Sequence, residues 1–455
     1  MIDLKLSEIA TAVNGTLSLE DRTVGAVSTD SRKIPEGALF VALRGEKFDA
    51  HDFIPAAVDG GAGALMVSAD PLPGKNGAVV PWIRVPDTRL ALGLLGALVA
   101  RRTAPRTVSV TGTCGKTSVK EMLSAILSLD GPTLATRGNF NNDIGVPLTL
   151  LELTSDHRYA VVEMGTNHPG EIAYTASLLQ SDVCAVNNIG YAHIEGFGSL
   201  RGVYQAKKEI FAGLREGGTA VFPRDSEFYE DFCRDVSHRR LSFGSTPEAD
   251  IHPLNVTADE GGCCSFELSL SGTVVPVKLQ IPGRHSVLNA CCAAACALAL
   301  GIGPDLIARG LGSCRSFKGR LHAETIGHVT LIDDAYNAAA NAVFAAIDTL
   351  SSMRGRRILV LGEMGELGSM AEELHREVGR RFRASGIEHL LTLGDLTRWT
   401  VQEAGERGEF LSSRQDLYNT LRKYMPSGEP VTVLVKGAHY MRMNEVAEFI
   451  KENLC

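Results

Sequence analysis

Short apolar runs alternate with helix-like segments through the middle of the chain. Runs of this kind occupy residues 107–110, 159–162 and 183–186, and helical spacing follows them. Strands that alternate with helices are typical of a parallel sheet with helices on both faces. The pattern therefore predicts an α/β fold built around a parallel sheet.

The segments before and after this pattern predict further domains. The first 84 residues have the pattern of a small α/β unit, and prolines and glycines crowd residues 71–86, which is typical of a boundary. A polar, turn-rich section at 242–282 leads into an Ala-rich helix. After Phe317 a second parallel pattern begins, with predicted strands at 329–332, 357–361, 390–393 and 431–435. The predicted domains are 1–84, 85–315 and 316–455.

Size and charge narrow the class of protein. A chain of 455 residues exceeds what one core usually supports, and ~100–200 residues per domain favours about three domains. The net charge of -8 repels a phosphate backbone unless basic residues are concentrated locally. The longest apolar stretch, 90–100, is shorter than the ~20 residues of a membrane helix, and the first residues lack a signal-peptide pattern. We expect a cytoplasmic protein that binds neither nucleic acid nor membrane.

The ten cysteines of the chain include no Cys-x-x-Cys pair. Cys291, Cys292 and Cys296 lie in the Ala-rich helical run, where we expect small buried apolar residues in a reducing compartment. Cys114 is the exception, because it lies inside a candidate phosphate loop and could meet oxidants.

That loop, residues 111–118, reads Thr-Gly-Thr-Cys-Gly-Lys-Thr-Ser between a predicted strand and a predicted helix. In this context backbone amides and a helix N-terminus can surround phosphate oxygens. Lys116 would neutralise the β- and γ-phosphates, and the Thr117 hydroxyl would bind Mg²⁺. Val110 stands where the common motif has glycine, so the loop is a shortened variant. The alternative is a strand-turn-helix in which glycine serves geometry alone.

Two further polar residues follow predicted strands. Glu163 ends the run at 159–162, and His193 lies shortly after the run at 183–186. The carboxyl ends of parallel strands share one sheet edge, so both side chains are candidates for a metal site beside the loop. An ordinary surface carboxylate and a hydrogen-bonded core histidine remain the alternatives.

Several motifs together resemble the Mur ligase family. They are the loop at 111–118 and the segments 138–147, 163–172, 192–198, 206–211 and 333–338. The resemblance implies a three-domain Mur ligase architecture. It comprises a small N-terminal α/β domain, a central P-loop ATPase domain with a parallel sheet, and a C-terminal Rossmann-like domain. Within the family, the pattern matches best the member that adds D-alanyl-D-alanine.

The resemblance also implies roles for individual residues. Lys116, Lys207 and His193 would be catalytic, with Lys207 carbamylated, whereas without the family match Lys207 would be a solvated helix lysine. Two Mg²⁺ ions would be bound by Thr117, Glu163 and His193. ATP would contact Gly112, Thr113, Cys114, Gly115, Lys116, Thr117, Ser118, Asn289, Arg320 and Asp334. The other substrates would contact Ser31, Arg32, Asn139, Asn142 and Asn337, and the segment at 45–53 resembles part of the UDP-binding elements.

The implied reaction is ATP-dependent addition of D-alanyl-D-alanine to UDP-MurNAc-tripeptide through an acyl phosphate, in peptidoglycan precursor synthesis. We expect a monomer whose domains close on ATP. The alternatives are the third-residue-adding Mur ligase, a folylpolyglutamate synthetase, a P-loop module without ligase chemistry and a nucleic-acid-dependent ATPase. The chain departs from the family pattern at Cys114, Ser286, Ala50, Ala339, Ala340 and His439. Ala339, Ala340 and His439 lie in the domain that the family uses for the incoming dipeptide.

Overall fold

The computed structural model describes residues 1–45, 47–71, 73–74, 77–425 and 428–453. Glu46, within the segment expected to bind UDP, lies outside the described residues. The first part of the chain contains β1 (Leu4–Lys5), α1 (Leu6–Ala12), β2 (Thr16–Ser18), β3 (Thr23–Val24), β4 (Val27–Ser28), β5 (Leu39–Val41), α2 (Ile54–Asp59), β6 (Ala64–Val67), β7 (Trp82–Arg84) and α3 (Thr88–Thr103).

The first sheet has the strand order β2-β7-β6-β5-β4. Strands β4 to β7 run parallel, and β2 pairs antiparallel with β7. Every residue of β5 and β6 is buried, because helices and neighbouring segments cover both sheet faces. A separate short pairing of β1 with β3 is antiparallel.

Helix α3 connects the first sheet to the rest of the molecule. Asp87 caps its start, where the side chain accepts hydrogen bonds from the backbone amides of Arg89 (2.7 Å) and Leu90 (3.1 Å). Leu92 of α3 belongs to a buried core that also contains Leu39 of the first sheet and Leu150 of the central domain. The first and central domains therefore share apolar packing.

The central part of the chain forms the largest sheet. Its elements are β8 (Arg106–Thr111), α4 (Lys116–Leu127), β9 (Thr133–Ala135), α5 (Gly145–Leu151), β10 (Tyr159–Glu163), α6 (Glu171–Ser177), β11 (Ser181–Val186), α7 (Ile194–Phe197), α8 (Leu200–Lys208), β12 (Leu214–Pro223), α9 (Tyr229–Asp235), β13 (Arg239–Phe243), β14 (Ile251–Ala258), β15 (Cys263–Leu270), β16 (Thr273–Pro282), α10 (His285–Ala299) and α11 (Pro304–Ser313).

The strand order of this sheet, β16-β15-β14-β13-β12-β11-β8-β10-β9, decides where the site lies. Strand β8 runs parallel to both of its neighbours, β10 and β11. The turn-rich section at 242–282 forms the antiparallel end of the sheet, β14 to β16. Because β8, β10 and β11 are adjacent and parallel, the segments that follow them meet at one edge.

The last part of the chain forms another α/β unit. Its elements are β17 (His322–Ile326), β18 (Val329–Asp334), α12 (Ala340–Ser351), β19 (Arg356–Gly362), α13 (Ala371–Ser385), β20 (His389–Leu393), α14 (Thr397–Ala404), β21 (Gly408–Leu411), α15 (Arg414–Tyr424), β22 (Val431–Lys436) and α16 (Asn444–Asn453). The order is β17-β18-β22-β19-β20-β21, with β17 antiparallel to a parallel remainder. Separate apolar cores cover the two faces of this sheet.

The predicted α/β class is confirmed, and the predicted strands of the last domain lie within β18, β19, β20 and β22. The strands β17 and β21 were missed. Cys291, Cys292 and Cys296 are fully buried in α10, as expected. The domain limits at 84 and 315 stay a prediction. In the part of the chain that the structure describes, none of the helices combines the length and apolar character needed to cross a membrane.

Candidate active site

The phosphate loop lies between β8 and α4, at the sheet edge described above. Gly115 precedes α4 with φ of 73°, and a Cβ there would lie 2.4 Å from Oδ1 of Asn289. Glycine is therefore required at position 115, because other residues rarely adopt this positive φ and their Cβ atom would overlap Asn289. Among the described residues no side chain caps α4, so its first amide groups remain available to an anion.

Lys116 folds back over the loop from the first turn of α4. Its ammonium donates to the carbonyls of Gly112 (2.8 Å) and Thr113 (3.3 Å). Burial lowers the pKa of Lys116, while the nearby carboxylate of Glu163 opposes this shift. The ammonium is thus held over the loop by weak carbonyl acceptors, which phosphate oxygens can replace.

Three asparagines fix the loop, and sequence reasoning assigned this role to none of them. Asn188 accepts from the backbone amide of Cys114 (2.8 Å) and donates to the carbonyl of the same residue (3.0 Å). Asn187 donates to that carbonyl (2.9 Å) and to Oδ1 of Asn289 (2.8 Å). The network uses the backbone of Cys114, so the thiol contributes nothing to it. The position of Asn187 and Asn188 directly after β11 was the available signal.

Glu163 ends β10 beside the loop and is 1% exposed. It accepts a hydrogen bond from the Thr117 hydroxyl (3.0 Å) and another from the side-chain amide of Asn141 (2.8 Å). The hydroxyl and the carboxylate fit Mg²⁺, which binds oxygen ligands and usually keeps several waters and substrate phosphates. The structure therefore brings together two of the three predicted metal ligands, and Asn141 was missed.

His193, the third predicted metal ligand, contacts a carboxylate other than Glu163. Its Nδ1 lies 2.5 Å from a carboxylate oxygen of Glu366, which comes from the last domain. Its backbone is left-handed, with φ of 53°, and burial lowers its pKa although Glu366 acts in the opposite direction. Within the described ranges, no group of three or more His, Cys, Asp or Glu side chains is arranged to hold a metal ion.

Lys207, near the end of α8, is 2% exposed, which excludes the solvated helix lysine considered above. Burial lowers its pKa well below the ordinary value, and the nearby charge of Lys116 acts in the same direction. The side chain does not line the cavity described below. It is a buried lysine whose neutral amine form is favoured.

The last domain supplies the opposite wall of the site. Lys436, at the end of β22 and 3% exposed, donates to Asp334 Oδ2 (2.6 Å) and to the Asn337 carbonyl (2.9 Å). The Arg320 guanidinium lies over the Tyr336 ring, 4.1 Å from its centroid. Asp334 and Arg320 were predicted site residues, whereas Lys436 was missed. The available signal in the sequence was its place directly after the last predicted strand.

These walls enclose a cavity of about 960 Å³. Of the predicted residues, it is lined by Thr113, Cys114, Gly115, Lys116, Thr117, Ser118, Asn142, Glu163, His193, Asn289, Arg320, Asp334 and Asn337. The predicted residues outside its lining are Gly112, Lys207, Asn139, Ser31 and Arg32. Ser31 and Arg32 follow β4 in the first domain, where Arg32 pairs with Asp30 (2.8 Å). The roles predicted for all these residues stay predictions.

Family models match the chain in three consecutive segments. They are described as the Mur ligase family, catalytic domain (residues 23–99), the Mur ligase middle domain (110–297) and the Mur ligase, glutamate ligase domain (319–439). Each model covers one of the α/β units described above. The resemblance found in the motifs is thereby confirmed.

Whole-chain relatives share one description. The UDP-N-acetylmuramoyl-tripeptide--D-alanyl-D-alanine ligase of Escherichia coli K12 is 42% identical over 457 residues, covering 100% of this chain and 99% of the relative. That of Bacillus subtilis 168 is 32% identical, with 100% and 99% covered.

Solved structures of similar proteins share the fold of this chain. The first crystal structure of MurF from Acinetobacter baumannii has a TM-score of 0.93 at 33% identity, with 98% of both chains covered. A UDP-N-acetylmuramoylalanyl-D-glutamyl-2,6-diaminopimelate--D-alanyl-D-alanyl ligase structure from the same organism has a TM-score of 0.88, also at 33% identity and with 98% of both chains covered. A folylpolyglutamate synthase from Mycobacterium tuberculosis, at 15% identity, shares the fold alone, with a TM-score of 0.63 over 80% of this chain and 94% of that one. This chain belongs to the Mur ligase family, in the group of the UDP-N-acetylmuramoyl-tripeptide--D-alanyl-D-alanine ligases.

Proposed function

We propose that this chain is an ATP-dependent, ADP-forming ligase that joins D-alanyl-D-alanine to UDP-MurNAc-tripeptide in peptidoglycan precursor synthesis. The observation that carries the proposal is the composition of the cavity. A phosphate loop, a buried carboxylate at the neighbouring strand end and cations of the last domain line it together. Phosphoryl transfer depends mainly on positioning and on electrostatic stabilisation, which this arrangement provides.

The first step makes a carboxylate reactive. A peptide carboxylate oxygen attacks the γ-phosphorus of ATP, and the bond to the ADP oxygen breaks, which yields an acyl phosphate and ADP. Lys116 and the start of α4 bind the phosphate oxygens, while Arg320 stabilises negative charge from the opposite wall. Thr117 and Glu163, with His193 near by, would hold Mg²⁺, which supplies positive charge at the transferring phosphoryl group.

The second step forms the amide. The amine nitrogen of D-alanyl-D-alanine attacks the acyl carbon, the bond to phosphate breaks, and the nitrogen releases its proton. An acyl phosphate hydrolyses if water enters, so the walls must exclude it. We infer that the last domain, which carries Arg320, Asp334 and Lys436, closes over the central domain when ATP binds.

The predicted site residues also suggest where each substrate binds. Asn289 and Asp334 would contact the nucleoside of ATP, whereas Ser31, Arg32, Asn139 and Asn142 would bind the UDP-MurNAc-peptide and Asn337 the incoming dipeptide. We take the third peptide residue to be diaminopimelate, as in the name of the Acinetobacter baumannii relative.

Lys207 would carry a carbamate. A neutral amine attacks the carbon of CO₂, the N–C bond forms and a proton is released, so a cation becomes an anion. The buried position and lowered pKa of Lys207 favour the neutral amine that this reaction needs. We expect K207A to lose activity about 100-fold and short carboxylic acids to restore part of it. Full activity of K207A in ADP-release assays would remove this role.

The reaction itself is tested with a panel of amines. Purified protein receives ATP, magnesium and either UDP-MurNAc-tripeptide or the corresponding dipeptide that lacks the third residue, with D-alanyl-D-alanine, diaminopimelate, lysine or glutamate supplied separately. We expect ADP release and a peptide product with D-alanyl-D-alanine alone. Release with diaminopimelate or glutamate instead would assign the chain to another ligase, and ATP turnover independent of peptide would exclude ligase chemistry.

A further inference from the structure

An ion pair occupies the cavity wall where the first domain meets the central domain. Arg89, in the first turn of α3, contacts Asp143, in the segment between β9 and α5. Both residues line the cavity, and their side chains are 50% and 22% exposed, respectively. The Asp143 carboxylate raises the pKa of Arg89, so the guanidinium remains charged. The catalytic steps above use neither group.

The pair lies next to the position of the reacting carboxylate. Asn141, two residues before Asp143, donates to Glu163 (2.8 Å), which in turn contacts Thr117. The backbone amide of Gly165 also donates to the Asn141 carbonyl (2.8 Å), so this segment is tied to the strand end that carries Glu163. A peptide whose last carboxylate reaches Thr117 and Glu163 must place its last side chain within a short distance of this segment.

We infer that Arg89 and Asp143 bind the far end of the third residue when it is diaminopimelate, which rests on the function proposed above. That end carries a carboxylate and an ammonium on the same carbon. The guanidinium can bind the carboxylate, and Asp143 can bind the ammonium, so the wall presents both charges of the complementary pair. A lysine third residue carries only an ammonium, which would leave Arg89 facing a like charge.

Neighbouring groups sharpen this assignment. Asp87 already caps α3 through its side chain, so Arg89 has Asp143 as its ion-pair partner. The Tyr174 hydroxyl is buried without a hydrogen-bond partner among the described residues, and Asp143, Asp87 and Arg89 are the charged groups that act on its pKa. This buried hydroxyl keeps unused hydrogen-bonding capacity close to these charges, although Tyr174 does not line the cavity.

The experiment compares two tripeptides that differ only in the third residue, diaminopimelate or lysine. Both are given to the wild-type protein, R89L, R89K and D143N, with saturating ATP and D-alanyl-D-alanine. The matched control is R102L, because Arg102 lies on the same helix, has 51% exposure and pairs with Glu8 (2.8 Å) outside the cavity. KM for ATP is measured in parallel.

We expect the wild-type protein to prefer the diaminopimelate peptide. R89L should lower kcat/KM for that peptide about tenfold, because this substrate loses a charged contact, and should leave kcat/KM for the lysine peptide unchanged or raise it by less than about twofold, because a like charge is removed. R89K should recover part of the preference, and R102L should retain all of it.

Two results would overturn the inference. One is an equal loss for both peptides in R89L, which indicates a structural role, and the other is a wild-type preference for lysine. Absence of ADP release with either peptide in the wild-type protein would instead contradict the proposed function. The two failures are therefore distinguishable.

Discussion

The two walls of the cavity are built in different ways. On the central-domain wall, groups from adjacent strand ends hydrogen-bond to one another, as Thr117 does with Glu163 and the Cys114 amide with Asn188. On the last-domain wall, the ion pair of Lys436 with Asp334 and the stacking of Arg320 on Tyr336 hold the polar groups. The first wall is pre-organised by one sheet, whereas the second belongs to a separate domain, the one whose closure we propose.

Contacts between the walls are both apolar and polar, because Met370 of the last domain packs against the cluster that contains Ile194 and Phe197. His193 pairs with Glu366, and the backbone amide of Tyr191 donates to Asn341 (3.1 Å). Domains of one chain commonly move relative to each other across interfaces of this mixed kind, which the proposed closure requires. The comparison indicates that the phosphate-binding groups are pre-organised, whereas the proposed closure would bring the groups of the last domain to the substrates.

K116A should have the largest effect on activity, because it removes the lysine ammonium from the central-domain wall. We expect ADP release to fall at least about 1,000-fold, since an electrostatic contact to the transferring phosphoryl group is lost. Steady-state assays measure the loss, and circular dichroism verifies that the variant folds. Unimpaired turnover would contradict the assignment of the phosphate loop.

N188A should be next, because it removes the side chain that holds the Cys114 peptide unit. We expect KM for ATP to rise about tenfold with little change in KM for D-alanyl-D-alanine, since a loop with freer amides binds phosphate less well. C114S is the matched control and should resemble the wild-type protein, because the network uses backbone atoms. A larger defect in C114S than in N188A would reverse this interpretation.

K436M tests the cavity wall that the last domain forms. It leaves the Asp334 carboxylate without its buried cation, and we expect about 3 kcal/mol of destabilisation in the last domain with a raised KM for ATP. Urea unfolding and initial rates measure both effects, and K436R should restore part of each. K451M, which removes the exposed ion pair with Glu324 (2.6 Å), is the control and should change neither.

E366Q should have the smallest effect, because glutamine keeps a hydrogen-bond acceptor for His193 while removing the charge. We expect a change in kcat of about threefold or less, since the contact is partly exposed to solvent. Rates measured across ionic strengths provide the comparison. A loss of activity as large as that of N188A would mean that the interdomain contact belongs to the pre-organised part of the site.

Local sequence patterns predicted much of the central wall. The loop at 111–118 and Glu163 follow predicted strands directly, and the parallel order of β8, β10 and β11 places them at one edge. Asn141, Asn187 and Asn188 could not be assigned in the same way, because an asparagine after a strand has many uses until its hydrogen-bond partner is known.

The sequence by itself determined the fold class, the phosphate loop and the family, because these depend on periodicity and on short motifs whose residues are contiguous. Only the tertiary structure decided that Lys207 is buried, that His193 pairs with Glu366 and that Lys436 neutralises Asp334. The Arg89 and Asp143 contact is of the same kind. Burial and charge pairing depend on residues far apart in the chain, and only domain packing brings them together.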